Sequence, residues 1–138
     1  MPASTYLGNK VLDLVLRGVA FAAPTRVYVS LHTADPGVTG ANEVDTVNWP
    51  AYVRQDPAAA AAIATGFGAA SSKTTENSKE MLFPAHDGAS NVDVTHLAVW
   101  DAESNGNCLL VSPLSTTKII QPTDEVVLKI GDLSASII

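Results

Sequence analysis

The chain is poor in three residue classes, and each shortage excludes something. It has one cysteine, Cys108, in 138 residues, so no internal disulfide can staple it. Cys108 lies in the apolar run CLLV and reads as a small packed hydrophobe. Lysine and arginine number only eight against 14 acidic residues, for a net charge of −6. The basic residues are scattered from Lys10 to Lys129 without a cluster, which argues against nucleic acid or an anionic membrane surface as a partner. Charged residues make up 16% of the chain, below the ~25% usual in soluble domains. That leaves surface for lasting contact with another protein, although a monomer with a Ser/Thr/Asn surface has the same composition. No apolar run approaches the ~18 residues of a membrane span, and no charged n-region with an apolar core opens the chain. The expectation is one domain over residues 1–138, made in a reducing cytoplasm, with a core large enough to stand without staples.

What is present is mostly β-type pattern behind one helical opening. Ser4 or Thr5 can cap a helix spanning about residues 5–20 (Tyr6 to Val19). Leu7, Val11, Leu14, Val15 and Gly18 or Val19 follow helical spacing, while Asn9, Lys10, Asp13 and Arg17 face away. Leu12 and Leu16 widen the apolar arc, so the helix either lies across a sheet, the default, or meets a partner. Arg26–His32 reads as a strand with Val27, Val29 and Leu31 on one face and Tyr28, Ser30 and His32 on the other. A long polar loop follows, about 33–48, with turn signals at Pro36-Gly37 and Gly40. Loops of this length are usually functional or ordered by a partner.

Trp49–Arg54 reads as a short strand, with Pro50 at its start or on an edge. The alanine run 58–62 favours helix by propensity, but its β context and early end lean toward an extended segment. Glu80–Phe83 is a further strand. VTHLAVWDA, Val94 to Ala102, is apolar on both faces and reads as a central strand. It pairs with Asn107–Leu114 in a hairpin turned by Asn105-Gly106. Thr116–Ile120 and Glu125–Ile130 suggest a second pair, and Leu133–Ile138 a last strand. About eight strands at near-regular spacing predict a mainly β, jelly-roll-like antiparallel β-sandwich with one N-terminal helix.

No residue set carries catalysis, and no catalytic, cofactor-binding or metal-binding residue is assigned. His32, His86 and His96 do not form a zinc-ligand pattern; His32 with Asp35 is one possible pair, but its spacing is that of a strand end and turn. There is no G-x-S-x-G elbow, and Gly66-Phe-Gly68 lacks a phosphate-loop lysine. Carboxylate pairs such as Asp101 with Glu103 fall in turns. Neither an enzyme nor a small-molecule binder is expected. Trp49, Tyr52 and Arg54 beside the long loop are the partner-contact residues to consider, since aromatics and arginine dominate interface hot spots. The alternative is that Trp49 and Tyr52 cover the edge of the core.

Several segments, read in order, carry a family resemblance: YLGNKVLDLVLRG, VYVSLHTADPGVTGANEV, YVRQ, FPA, VTHLAVWDAESNGNCLLVSPL, KII and VVLKI. LHTADPG-x-TG-x-NEV with YVRQ is the specific part. The chain resembles the small virion structural proteins of tailed bacteriophages, often labelled tail-fibre proteins, and departs from them in the alanine-rich stretch between Gln55 and Gly66. It is also similar in size and sequence to head cement or decoration proteins such as that of a short-tailed Bordetella phage, which have a jelly-roll fold. The resemblance implies a non-enzymatic virion protein synthesised in the host cytoplasm. In the first form it is a head cement protein on the capsid exterior, a homodimer contacting the major capsid protein. In the second it is a tail or fibre component with an adaptor or receptor-binding role. The helix and the loop 33–48 are the segments that can reach a partner without breaking a sandwich core.

Overall fold

A computed structural model describes residues 1–137; the last residue of the expected C-terminal strand, Ile138, lies outside them. The chain is mainly β and antiparallel, with a single N-terminal α-helix, as expected. Its elements run α1 (Thr5–Arg17), β1 (Tyr28–His32), a short 3-10 turn (Ile63–Thr65), β2 (Thr74–Glu76), β3 (Met81–Leu82), β4 (Val92–Trp100), β5 (Cys108–Ile120), β6 (Val127–Leu128) and β7 (Ser134–Ser136). The described residues thus hold seven strands, in a three-stranded sheet ordered β1-β4-β5 and two small sheets, β2-β7 and β3-β6.

β4 is the central strand, with β1 and β5 antiparallel on its two sides. Its sequence is apolar on both faces because both faces are covered. Val92, Val94, Leu97 and Val99 join Val29 and Leu31 of β1 in the main core, against Trp49, Tyr52, Phe83 and Leu133. Ala98, Trp100, Cys108 and Val111 form a second cluster. Strict alternation would put Val94 on the face of His96, Ala98 and Trp100. The register instead jumps from Val94↔Lys118 to His96↔Pro113, so a bulge opposes Thr95 to Leu114–Thr117 and turns Val94 into the main core.

That bulge also corrects the expected second hairpin. Thr116–Ile120 is the far half of β5 and pairs with Val92–Val94 of the same β4. Val127–Leu128 pairs with Met81–Leu82 instead. The first hairpin forms as expected, with Asn105 and Gly106 both at positive φ (55° and 73°). Asp101 holds the closing end through Asn107 N–H, which donates to Oδ1 at 2.7 Å.

Two segments expected to be extended are turns. Trp49–Arg54 is not a strand: the chain turns at Trp49–Ala51 and regains sheet contact only at Gln55, which bridges to Val29. The alanine run is wound around Asp56, whose carboxylate accepts from Ala58 N–H (2.8 Å) and Ala60 N–H (2.9 Å). Ala59 and Ala60 consequently sit at positive φ. One carboxylate taking two amide donors outweighs the weak preferences of alanine in either direction.

Both outer edges of the main sheet are lined by other parts of the chain. Gln55 and Val44 bond to β1. Along β5, Ser4 N–H donates to Leu109 O and Val111 N–H to Pro2 O. Covering an edge in this way removes a template for indiscriminate strand pairing.

Candidate functional site

The three residues singled out as partner contacts are inside the protein. Trp49 is 0%, Tyr52 5% and Arg54 8% exposed, so a partner cannot reach them in this structure, and the core-covering reading describes them. Arg54 is the hub of a buried clamp. Its Nε donates to Glu43 Oε1 (2.9 Å) and Nη2 to Oε2 (2.7 Å), while Nη1 donates to the carbonyls of Ala102 and Asn105 (both 2.9 Å). The guanidinium lies 3.8 Å from the centre of the Trp100 ring. Tyr52 donates to Glu43 Oε1 at 2.9 Å and accepts from Leu31 N–H at 3.0 Å. Burial pushes the Tyr52 phenol well above its ordinary range, so it remains a neutral donor.

His32 extends the same structure. A carbonyl can only accept, so His32 Nδ1 donates to Ala41 O (2.7 Å). Nε2 is then free to accept from Ser30 Oγ (2.7 Å), which itself accepts from Trp100 Nε1 (2.7 Å). Burial lowers the His32 pKa, against the opposing pull of the Ala41 carbonyl. The loop 33–48 is therefore tied down from within the chain, not held in reserve. Asp35 does not pair with His32; its Oδ1 accepts from Gly37 N–H at 2.8 Å in a turn. Gly40 (φ 84°) passes so close to Trp100 that an added Cβ would lie 2.4 Å from the ring.

The residue types associated with chemistry are similarly engaged in structure. His86 is buried, with Nε2 donating to Ser90 O (2.7 Å) and Nδ1 accepting from Gly88 N–H (3.2 Å). His96 Nδ1 pairs with Thr95 Oγ1 at 2.8 Å. Burial pushes the Cys108 thiol up to about 11, so at neutral pH it is a thiol and not a nucleophilic thiolate. A groove of about 520 Å³ between β5 and the segment 125–132 reaches Leu31, Val94 and Leu97, with Lys118, Glu125 and Asp132 at its rim. No histidine or cysteine lines it.

The surface that stands out is α1. Ser4 caps it by accepting from Leu7 N–H (3.1 Å), and the Ser4 hydroxyl donates to the Cys108 carbonyl, tying the cap to β5. Gly18 ends it in the left-handed conformation (φ 64°) that only glycine adopts freely. Tyr6 and Leu7 pack on the main core, and Phe21, in the chain returning from the helix, meets Tyr6 edge-on at 6.4 Å. Beyond that first turn the helix leaves the body, and none of its residues is buried. The default expectation of packing across a sheet is therefore overturned. Val15 is 71%, Leu16 75% and Leu12 57% exposed, with Val11, Leu14 and Val19 also open. The wide apolar arc of the sequence was the signal for this face. What the sequence could not show is that only the first turn of the helix, at Tyr6 and Leu7, joins the core, which leaves the face beyond it open.

The geometry thus presents a β body with a small network of buried polar groups, and an amphipathic helix projecting from it with its apolar face open. None of the curated proteins searched matches the chain. A family model described as Podophage GP4 fiber I protein gp80 matches residues 2–136. The chain therefore belongs to the podophage GP4 fiber I protein gp80 family, a family of structural proteins of the phage virion.

Proposed function

We propose that this chain is a non-enzymatic fibre component on the outside of the virion, and that α1 is the surface through which it assembles. The observation that carries this is the exposed apolar face of a helix whose own body does not cover it. A helix of 13 residues is marginal alone in water, so its stability must come from packing against something. Contiguous exposed apolar surface of this kind marks an interaction site. The clamp around Arg54 and Glu43 supports a body built to be rigid, with its polar side chains spent on folding. The matching family is described as a fibre protein, which favours a fibre over the head.

The second reading is a head cement or decoration protein on the capsid exterior, a homodimer bound to the major capsid protein. The compact acidic body, with no elongated shaft, favours it. Each capsid joint repeats many times, so modest affinity per contact suffices there.

Quantitative mass spectrometry of purified virions separates the two. A few to a few dozen copies per particle fits a fibre, and hundreds fit a head protein. In the same particles, replacing Val15 and Leu16 with glutamate is expected to lower incorporation by at least about tenfold while the body melts as before. Undiminished incorporation would refute the role given to α1.

A further inference from the structure

We infer that the groove between β5 and β6 is a docking site for an extended segment of a different protein. That segment adds to β6 as a strand, with apolar residues facing inward and a basic residue facing out. The site is separate from α1: the helix is capped onto the Cys108 carbonyl at one end of β5, and the groove lies beside Leu114–Ile120 at the other.

The main chain carries the argument. β6 pairs with β3 through Met81↔Leu128 and Leu82↔Val127, and Phe83 N–H donates to Val126 O. Bonded and non-bonded pairs alternate along an antiparallel ladder, so Val126 and Leu128 turn their N–H and C=O groups toward β3. Glu125 and Val127 turn theirs the other way, and among the described residues none of these groups has a hydrogen-bond partner. Residues 125 to 128 all line the groove. Consecutive residues mark the edge of a strand, whereas its face would present alternate ones, so the open groups point into the groove. The edges of the main sheet are bonded by Gln55, Val44 and the N-terminal arm, while this edge is left as a template. Another extended main chain matches such a row of donors and acceptors. A helix does not, because its main chain is already satisfied within itself.

Side chains set the kind of strand. The groove holds about 520 Å³, within the range of binding clefts, and its floor includes Leu31, Leu97 and Leu114. Every second residue of the incoming strand must therefore be apolar. On the outer face Val127 and its cross-strand neighbour Leu82 are partly open, and Glu125 is exposed. A lysine or arginine opposite Glu125 completes a cross-strand pair of opposite charge. Asp132 adds a second carboxylate at the rim against Lys118, and none of the three is in an ion pair among the described residues. The same charges disfavour a second copy, since two chains of net charge −6 would bring carboxylates to each other's rim.

The test mixes the full chain with a capped peptide of this chemistry, Ser-Val-Thr-Val-Lys-Val-Ser. Binding is expected with a Kd below about 1 mM. Hydrogen exchange followed by NMR reads the geometry. In the free chain Val127 N–H should exchange at least about tenfold faster than Leu128 N–H, and saturating peptide should slow it at least about tenfold. Val127→Pro removes the open N–H without breaking a bond to β3, so the melt should persist while binding weakens at least about tenfold. Glutamate in place of the peptide's lysine should weaken binding at least about threefold. The proposal is overturned by absence of binding at about 1 mM peptide, by equal binding to Val127→Pro, or by a Val127 exchange rate that the peptide leaves unchanged. Protection of Val127 on raising the concentration of the chain alone also overturns it, in favour of a second copy. If Val127→Pro unfolds the body, the same peptide methylated on its main-chain nitrogens replaces it, and undiminished binding of that peptide overturns the proposal.

Discussion

Replacing Arg54 with alanine should cost this protein more than any surface substitution, because the side chain closes a clamp across three separate parts of the chain. The Arg54 side chain is 6% exposed and that of its partner Glu43 23%. Removing one member of a buried pair costs about 3–5 kcal/mol, since the other charge is left without compensation. Glu43 keeps some water and still accepts from Tyr52, which places the loss toward the low end. Two carbonyls, Ala102 and Asn105, lose their donor, and Trp100 loses its stacked cation. The total is about 3–4 kcal/mol, against roughly 7–20 kcal/mol for a chain of this length. The melting temperature should fall by about 10–15 °C.

Arg54→Lys keeps the charge but not the planar fork, and should cost about half as much. The assay is urea unfolding followed by tryptophan fluorescence. A Glu43→Gln partner completes a double-mutant cycle, with a coupling of about 1–3 kcal/mol expected. An Arg54→Ala protein within about 0.5 kcal/mol of its parent would refute the clamp. If that variant also failed to enter virions, a partner-contact role for Arg54 would be supported.

Gly40→Ala should destabilise by about 2–4 kcal/mol, because the new Cβ meets the Trp100 ring at a positive φ; Gly68→Ala, whose nearest atom lies 3.7 Å away, serves as the near-neutral control in the same melts. His32 is held below its ordinary pKa, so below about pH 6.5 the unfolded chain binds a proton that the folded chain resists. Stability should therefore fall as pH drops from 6.5 toward the lower folded pKa, and the urea midpoint of His32→Gln should depend less on pH in that window; equal slopes would refute the assignment.

The local parts of the fold were legible because they rest on neighbours in sequence. The alternation in Tyr28–His32 put Val29 and Leu31 on the core face, and the two-sided apolar pattern of VTHLAVWDA marked a central strand. Asn105-Gly106 announced its own turn because both residues tolerate positive φ. The breadth of the apolar arc on α1 was likewise visible in the order of its residues. Where one long-range contact decides, local pattern ran out. Thr116–Ile120 has the alternation of a hairpin strand whichever neighbour it takes, and only the bulge opposite Thr95 shows that the neighbour is β4. At the alanine run a single carboxylate two residues upstream overrode propensity.

By itself, then, the sequence determined that this is an acidic, mainly β protein with one amphipathic helix, since composition and periodicity are properties of the chain alone. Tertiary structure decided which surfaces remain open. Trp49, Tyr52 and Arg54 look like an interface in the sequence and are buried in the fold, because their partners stand up to 51 residues away at Glu43, Trp100, Ala102 and Asn105. The helix looks like a core element and is exposed, because only its first turn, at Tyr6 and Leu7, joins the core. Burial depends on what the rest of the chain brings to a residue, and that is settled only when distant segments meet.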